Sequence, residues 1–284
     1  MENLIIDKTW FDDQKNNDEI EIQLLKNSFI NISKINSKTE DIDSAFSLVD
    51  FLNDNNRIDE GIYVLQWISL NPAFKDQAQI INKLKKLFES DKNSLKLIKP
   101  AGFEEENSLN LCFDKLHYLR RLKEEILCYH ETWGFGVINE VDYFYNELVV
   151  DFDNKKDHIL AFNYAAEALQ IIPEDHILSI KYNNPDSLNN MIKKEPGEVI
   201  RLSLKSYGNM TVARLIDRLV PDVISEKEWK RFWDAARKKL KSDASIEIPK
   251  KRTDFIELYE GLSNSYDDIW FEKLNKENDI ERLF

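Results

Sequence analysis

The stretch Thr132–Phe152, TWGFGVINEVDYFYNELVVDF, limits what this chain can fold into more than any other. It holds the clearest β pattern in a sequence that otherwise reads as helical. Phe135 and Val137, then Leu148, Val150 and Phe152, alternate as half-buried strands do. Two of the seven glycines, Gly134 and Gly136, sit here, where they fit the bend points of a small, strongly curved antiparallel sheet. The turn FDNKKD at 152–157 leads into a further β run. Residues 162–170 then read as a short helix, and Pro173 ends the unit.

Ahead of this stretch the apolar spacing is helical. Residues 1–18 are polar and read as loosely ordered, with Trp10 and Phe11 near their end. Helices are predicted over 19–35, 40–54, 58–70 and 75–89, from apolar residues recurring every three to four positions. The third stops at Asn71-Pro72. NRIDEGIYVLQWISLNP, with Gly61 at the small-residue position, resembles the second half of a tetratricopeptide repeat; an ordinary helical bundle fits as well. Residues 108–129 read as one further helix with a broad apolar face, Arg120 and Arg121 midway along it.

Behind the β stretch the rhythm changes. A helix starts at Asn184-Pro185. Three short helices follow: EVIRLSLKSYG closed by Gly208, TVARLIDRLV with Thr211 as N-cap, and SEKEWKRFWDAARKKLKSD with Ser225 and Glu228 as a capping box. ASIEIPKKRTDFIEL (244–258) reads as two strands around a basic turn. Three helices and then a hairpin is the order of a winged helix. The tail 260–284 is polar, helical in places, and reads as the start of more structure.

The composition agrees. A chain of 284 residues has room for two or three cores, and seven glycines with seven prolines are too few for an all-β fold. The fold class expected is mainly α (α+β): a helical-repeat-like bundle over 1–107, a helix plus small SH3-like β-barrel over 108–180, a winged-helix-like module over 181–259, and a tail or linker over 260–284.

Charge is unevenly spread over a net of -13. Residues 1–130 hold 17 Lys+Arg against 23 Asp+Glu, 131–195 hold 5 against 12, and 260–284 hold 3 against 7. Only 196–259, with 14 against 10, is basic. Phosphate would repel most of such a protein, so nucleic acid could meet it only locally. Cys112 and Cys128 lie sixteen apart, roughly 24 Å along a continuous helix, too far for a disulfide. Reduced thiols, no apparent secretory leader and no apolar run of membrane-spanning length lead us to expect a soluble, cytoplasmic protein without membrane contact.

No catalytic constellation emerges. His117, His130, His158 and His176 stand apart from one another and lack metal-ligand spacing. WGFG is too short to cradle a nucleotide, and no phosphate-binding loop or nucleophile elbow is present. No enzyme activity, cofactor, metal or small-molecule substrate is expected. The strongest signal is helix 229–241, where Lys230, Arg231, Arg237, Lys238, Lys239 and Lys241 face a single Asp234. With Lys250, Lys251 and Arg252 of the basic turn, these cations form a candidate nucleic-acid surface. A solvated helix whose late cations favour its C-terminal dipole is the plainer alternative. The aromatics Trp133, Phe135, Tyr143, Phe144 and Tyr145 likewise admit two roles, core filling or a partner-docking surface, with Tyr143 and Tyr145 expected on one face and Phe144 on the other.

HETWGFGVINEVDYFYNELVVDFDNKKDHILAFNYAAEAL and EVIRLSLKSYGNMTVARLIDRLVPDVISEKEWKRFWDAARKKLKSD together resemble the N-terminal extension of large GreA-like transcription elongation factors. The resemblance covers roughly 110–258 and is most distinctive at LVPDVISEKEWKRFWDAARK. It implies an accessory module that binds RNA polymerase, with DNA or RNA as a further partner through helix 229–241. The long acidic-tipped coiled coil of Gre factors is not evident here, so the resemblance implies the front part of a longer protein or a split homologue, and no cleavage-stimulating carboxylates carry over.

Overall fold

The computed structural model describes residues 6–30, 38–105, 107–241, 243, 245–249, 251 and 253–259. The chain divides into two compact units, Met1–Ile171 and Ile172–Phe284.

The first unit begins with α1 (Lys8–Gln14) and α2 (Ile22–Ile30). The expectation of loose order through residue 18 is corrected by α1. Asp7 caps that helix by accepting from the Trp10 amide at 3.1 Å, and Trp10 and Phe11 are buried. Two adjacent aromatic rings supply enough apolar surface to hold seven residues of helix against a core. There follow α3 (Thr39–Asp54), α4 (Ile58–Leu70), α5 (Gln77–Leu87), the short α6 (Lys92–Lys96) and α7 (Leu109–Leu119). The helix α4 is central and packs against α2, α3, α5 and α7. A polar seam joins α4 to α7: Gln66 donates to Asp114 at 3.0 Å, His117 Nε2 meets Gln66 Oε1 at 3.0 Å, and the His117 ring stacks on Tyr63.

The predicted helix over 108–129 ends ten residues early, at Leu119. The chain turns, with Glu125 at φ +66°, and Leu127–His130 forms β1. Pairing with the strand that follows, and with residues 170–171, overrides the helical spacing here. An antiparallel sheet is built from β1, β2 (Gly134–Asp142), β3 (Glu147–Phe152), β4 (His158–Ala161) and β5 (Gln170–Ile171), in the order β4-β3-β2-β1-β5. Between β4 and β5 lies α8 (Phe162–Ala168). Leu148, Val150 and Phe152 face inward, as their alternation predicts. Cys128 pairs with Gly136, and Gly136 with Phe152. Of these two glycines Gly134 has the positive φ, +79°, that favours glycine; at Gly136 the missing side chain makes room for the Phe152 ring. Buried residues from Trp10 through Leu169 form one continuous core, shared by helices and sheet. Cys112 and Cys128 are free thiols within it, and burial pushes the Cys128 thiol up to about 12.

The second unit contains α9 (Ile177–Asn183), α10 (Pro185–Lys194), α11 (Pro196–Tyr207), β6 (Met210–Thr211), α12 (Val212–Leu219), α13 (Glu226–Leu240), β7 (Ile246–Glu247) and β8 (Phe255–Leu258). The strands pair in the order β6-β8-β7. Gly208, at φ +80°, closes α11, and Thr211 caps α12 by accepting from the Arg214 amide. The expected capping box at α13 is replaced: the Ser225 hydroxyl donates to the Glu228 carboxylate at 2.7 Å and makes no cap to the backbone. The tail 260–284 lies outside the described residues.

Candidate nucleic-acid interface

The sequence of α13 separates two sides by helical spacing. Phe232, Ala236 and Leu240 are buried. Leu240 lies close to α11, where a Cβ on Gly197 would come within 3.3 Å of Leu240 Cδ2. The opposite side is left to solvent, and on it Lys230, Arg231, Arg237, Lys238 and Lys241 are all exposed. None of these five forms an ion pair among the described residues. Lys227 and Lys239 are exposed on the same helix and extend the patch. Acidic residues occupy the first turn, Glu226 and Glu228, and basic residues the last, an order that suits the helix dipole.

Packed α11 anchors the segment after α13. Arg201 pairs with Asp243, donates to Ser245 Oγ at 2.6 Å and reaches Glu198 at 3.3 Å. Tyr259 donates to Glu257, two residues back along β8, at 2.7 Å, and burial raises its hydroxyl pKa. Lys251 is exposed between β7 and β8; Lys250 and Arg252 lie outside the described residues.

Trp229 and Trp233 border the cationic side. Both are part-exposed, and their rings stack at 5.9 Å between centroids with planes 12° apart. Their spacing of four along the helix was the signal available in the sequence.

The aromatics of the sheet fall into two groups. Trp133 packs against the core, stacked on His130 at 4.0 Å, with His158 edge-on and Lys155 Nζ 5.5 Å above its ring. Phe135 is half-buried on β2 opposite Tyr129. Tyr143 is half-buried and edge-on to Phe162. The alternation expected for residues 143–145 is absent because they form a turn and not a strand. Asp142 accepts from the amides of both Phe144 and Tyr145, and those two rings project together, 76% and 69% exposed. The structure brings Phe144 and Tyr145 together, but Trp133 and Tyr143 flank opposite ends of the nine-residue β2.

Burial lowers the pKa of His130, His158 and His176, and that of His117 to about 4. Among the described residues no group of three or more His, Cys, Asp or Glu could hold a metal, and no helix is long and apolar enough to cross a membrane.

Residues 178–261 match the GRAD helix-turn-helix domain, a span that includes α11 to β8. The chain is 28% identical over 184 residues, 63% of its length and 26% of the relative's, to transcription elongation factor GreA of Chlamydia trachomatis. It is 24% identical over 248 residues to that of Borreliella burgdorferi, covering 86% of this chain and 27% of the relative. A putative GreA-associated domains protein of Treponema pallidum is 29% identical over 129 residues, 45% of this chain and 19% of the relative. The chain spans about a quarter of the length of the GreA proteins it matches. No solved structure matches. These findings fit a GreA-associated module, whose rear is similar to the GRAD helix-turn-helix domain and most of whose length aligns with part of much longer GreA proteins.

Proposed function

We propose that this chain is a non-enzymatic, cytoplasmic accessory module of a GreA-like elongation factor, which binds RNA polymerase and contacts nucleic acid through α13. The observation that carries the reading is the set of five exposed cations, Lys230, Arg231, Arg237, Lys238 and Lys241, on α13 within the stretch that matches a helix-turn-helix domain, free of ion pairs among the described residues. In winged helices that element meets phosphates and base edges while the wing touches the backbone. The order α11-β6-α12-α13-β7-β8 is winged-helix-like, with the exposed Lys251 between β7 and β8. The five-stranded sheet with α8 before its last strand is read as an SH3-like barrel, and the packing of α3 on α4 as tetratricopeptide-like. Partner docking falls to the sheet aromatics Trp133, Phe135, Tyr143 and Tyr145, and among them Tyr145, beside Phe144, offers the most accessible ring.

Co-purification of the intact chain with core RNA polymerase tests the partner. Recovery of polymerase subunits supports the reading, and their consistent absence leaves a helical interaction scaffold with no polymerase role. For nucleic acid, the dissociation constant of a labelled oligonucleotide is followed against salt. The affinity should fall steeply as salt rises, because each phosphate contact releases counterions.

A further inference from the structure

We infer that α13 carries a stacking platform for unpaired bases, so that the nucleic acid it takes is single-stranded; this rests on the nucleic-acid contact proposed above. Trp229, Trp233, Arg237 and Lys241 follow one another at intervals of four and form one row along the helix surface. The first two are near-parallel, part-exposed indoles, and the last two are exposed cations. Lys230 and Lys238 lie on the neighbouring row, also exposed, whereas Arg231, two positions from each indole, lies on the far side of the helix. Trp229 touches the buried Phe232 on the core side of α13, 5.7 Å between ring centroids, yet both indoles keep part of their surface in water. A flexible strand fits both features: its phosphates follow the cations while its bases lie on the indoles. A duplex keeps the faces of its bases inside its own stack and can offer this row only phosphates. Base–aromatic stacking is tolerant of sequence, so the platform carries no sequence preference.

The test uses the full chain and fluorescein-labelled oligo-dT and oligo-U of about twenty nucleotides, with a duplex of the same length, at low salt. The single strands should bind roughly ten-fold more tightly than the duplex, Trp233→Ala should remove roughly that factor, and Trp233→Phe should retain most of it. Tryptophan fluorescence should be quenched on adding oligo-dT, and the quench should disappear in a Trp229→Phe/Trp233→Phe variant. These two Phe variants keep an aromatic ring at each position and decide the matter if Trp233→Ala fails to fold. Preference for either oligo-dT or oligo-U supports the platform and identifies the sugar it accepts. Equal or tighter duplex binding overturns it. So does unchanged affinity of Trp233→Ala where Lys230→Glu/Arg237→Glu abolishes binding, in which case the charge-based contact stands without the platform. If neither strand form binds at low salt, the nucleic-acid contact itself fails.

Discussion

Gly136 and Phe152 face each other across the β2–β3 ladder so closely that a Cβ on Gly136 would lie 2.6 Å from Phe152 Cδ1 and 3.1 Å from the Asp151 carbonyl oxygen. The ring cannot retreat, because Phe152 is fully buried among His130, Trp133 and His158. Gly136→Ala should therefore destabilise the first unit by about 3 kcal/mol through overpacking. Gly134→Ala meets only Asn154 Nδ2, at an ordinary contact distance of 3.6 Å, but has a φ of +79°, and should lose about 1 kcal/mol. Urea unfolding midpoints of the two variants check the difference.

The Phe11 ring, fully buried, packs edge-on against Trp67 at 4.8 Å between centroids. Phe11→Ala should lower stability by roughly 3–5 kcal/mol, the range for emptying a buried aromatic site. If α1 were only loosely attached, the loss measured by thermal or urea unfolding would be close to zero.

Arg120, at the end of α7, gathers three partners: Asp59, Ser94 Oγ at 2.9 Å and Asp91 at 3.8 Å, with its guanidinium over the Phe88 ring. Arg120→Met keeps the apolar stem and removes the donors, and should cost about 2 kcal/mol. The neighbouring Arg121 is exposed, and Arg121→Met should stay within about 0.5 kcal/mol of the parent. The pair of variants, compared by chemical denaturation, separates these outcomes.

Burial holds the His117 imidazole at about 4, well below its ordinary 6.5, with the cations Arg120 and Lys26 adding to the effect. The folded protein therefore keeps this ring neutral where the unfolded chain would protonate it. The resulting stability is present above the unfolded value near 6.5 and is lost as the pH falls from there towards 4. His117→Gln should be less acid-sensitive than the parent by on the order of 2 kcal/mol at about pH 4.5. Unfolding free energies measured across that window, variant against parent, provide the comparison.

Reversing charge on α13 should act on binding and leave the fold alone, because the side chains concerned are exposed. In Lys230→Glu/Arg231→Glu the slope of log affinity against log salt should flatten by roughly 0.7–0.9 for each phosphate that the variant no longer neutralises. Unfolding midpoints should change little. An unchanged slope would assign the phosphate contacts to some other surface.

Much of this architecture is local, and the sequence determined it. The ranges of α3, α4 and α5 follow from apolar residues at helical spacing and from Asn71-Pro72, because a helix is specified by neighbours three and four positions away. Gly208 and Thr211 mark the ends of α11 and α12 through their own backbone and hydroxyl chemistry. The cations of α13 face outward because Phe232, Ala236 and Leu240 fix which side is buried. The tertiary structure alone decided what depends on distant partners. Leu127–His130 has a helical pattern in its sequence, yet it is a strand held between the neighbouring Gly134–Val137 and the distant Gln170–Ile171. Residues 8–14 are polar enough to look loose, yet Phe11 finds Trp67 more than fifty positions away. Tyr143–Tyr145 has the composition of a strand, but the Asp142 carboxylate folds it into a turn and leaves Phe144 and Tyr145 in solvent. Local spacing specifies helices and their faces; the pairing of strands and the sharing of one core are set by contacts that sequence spacing does not encode.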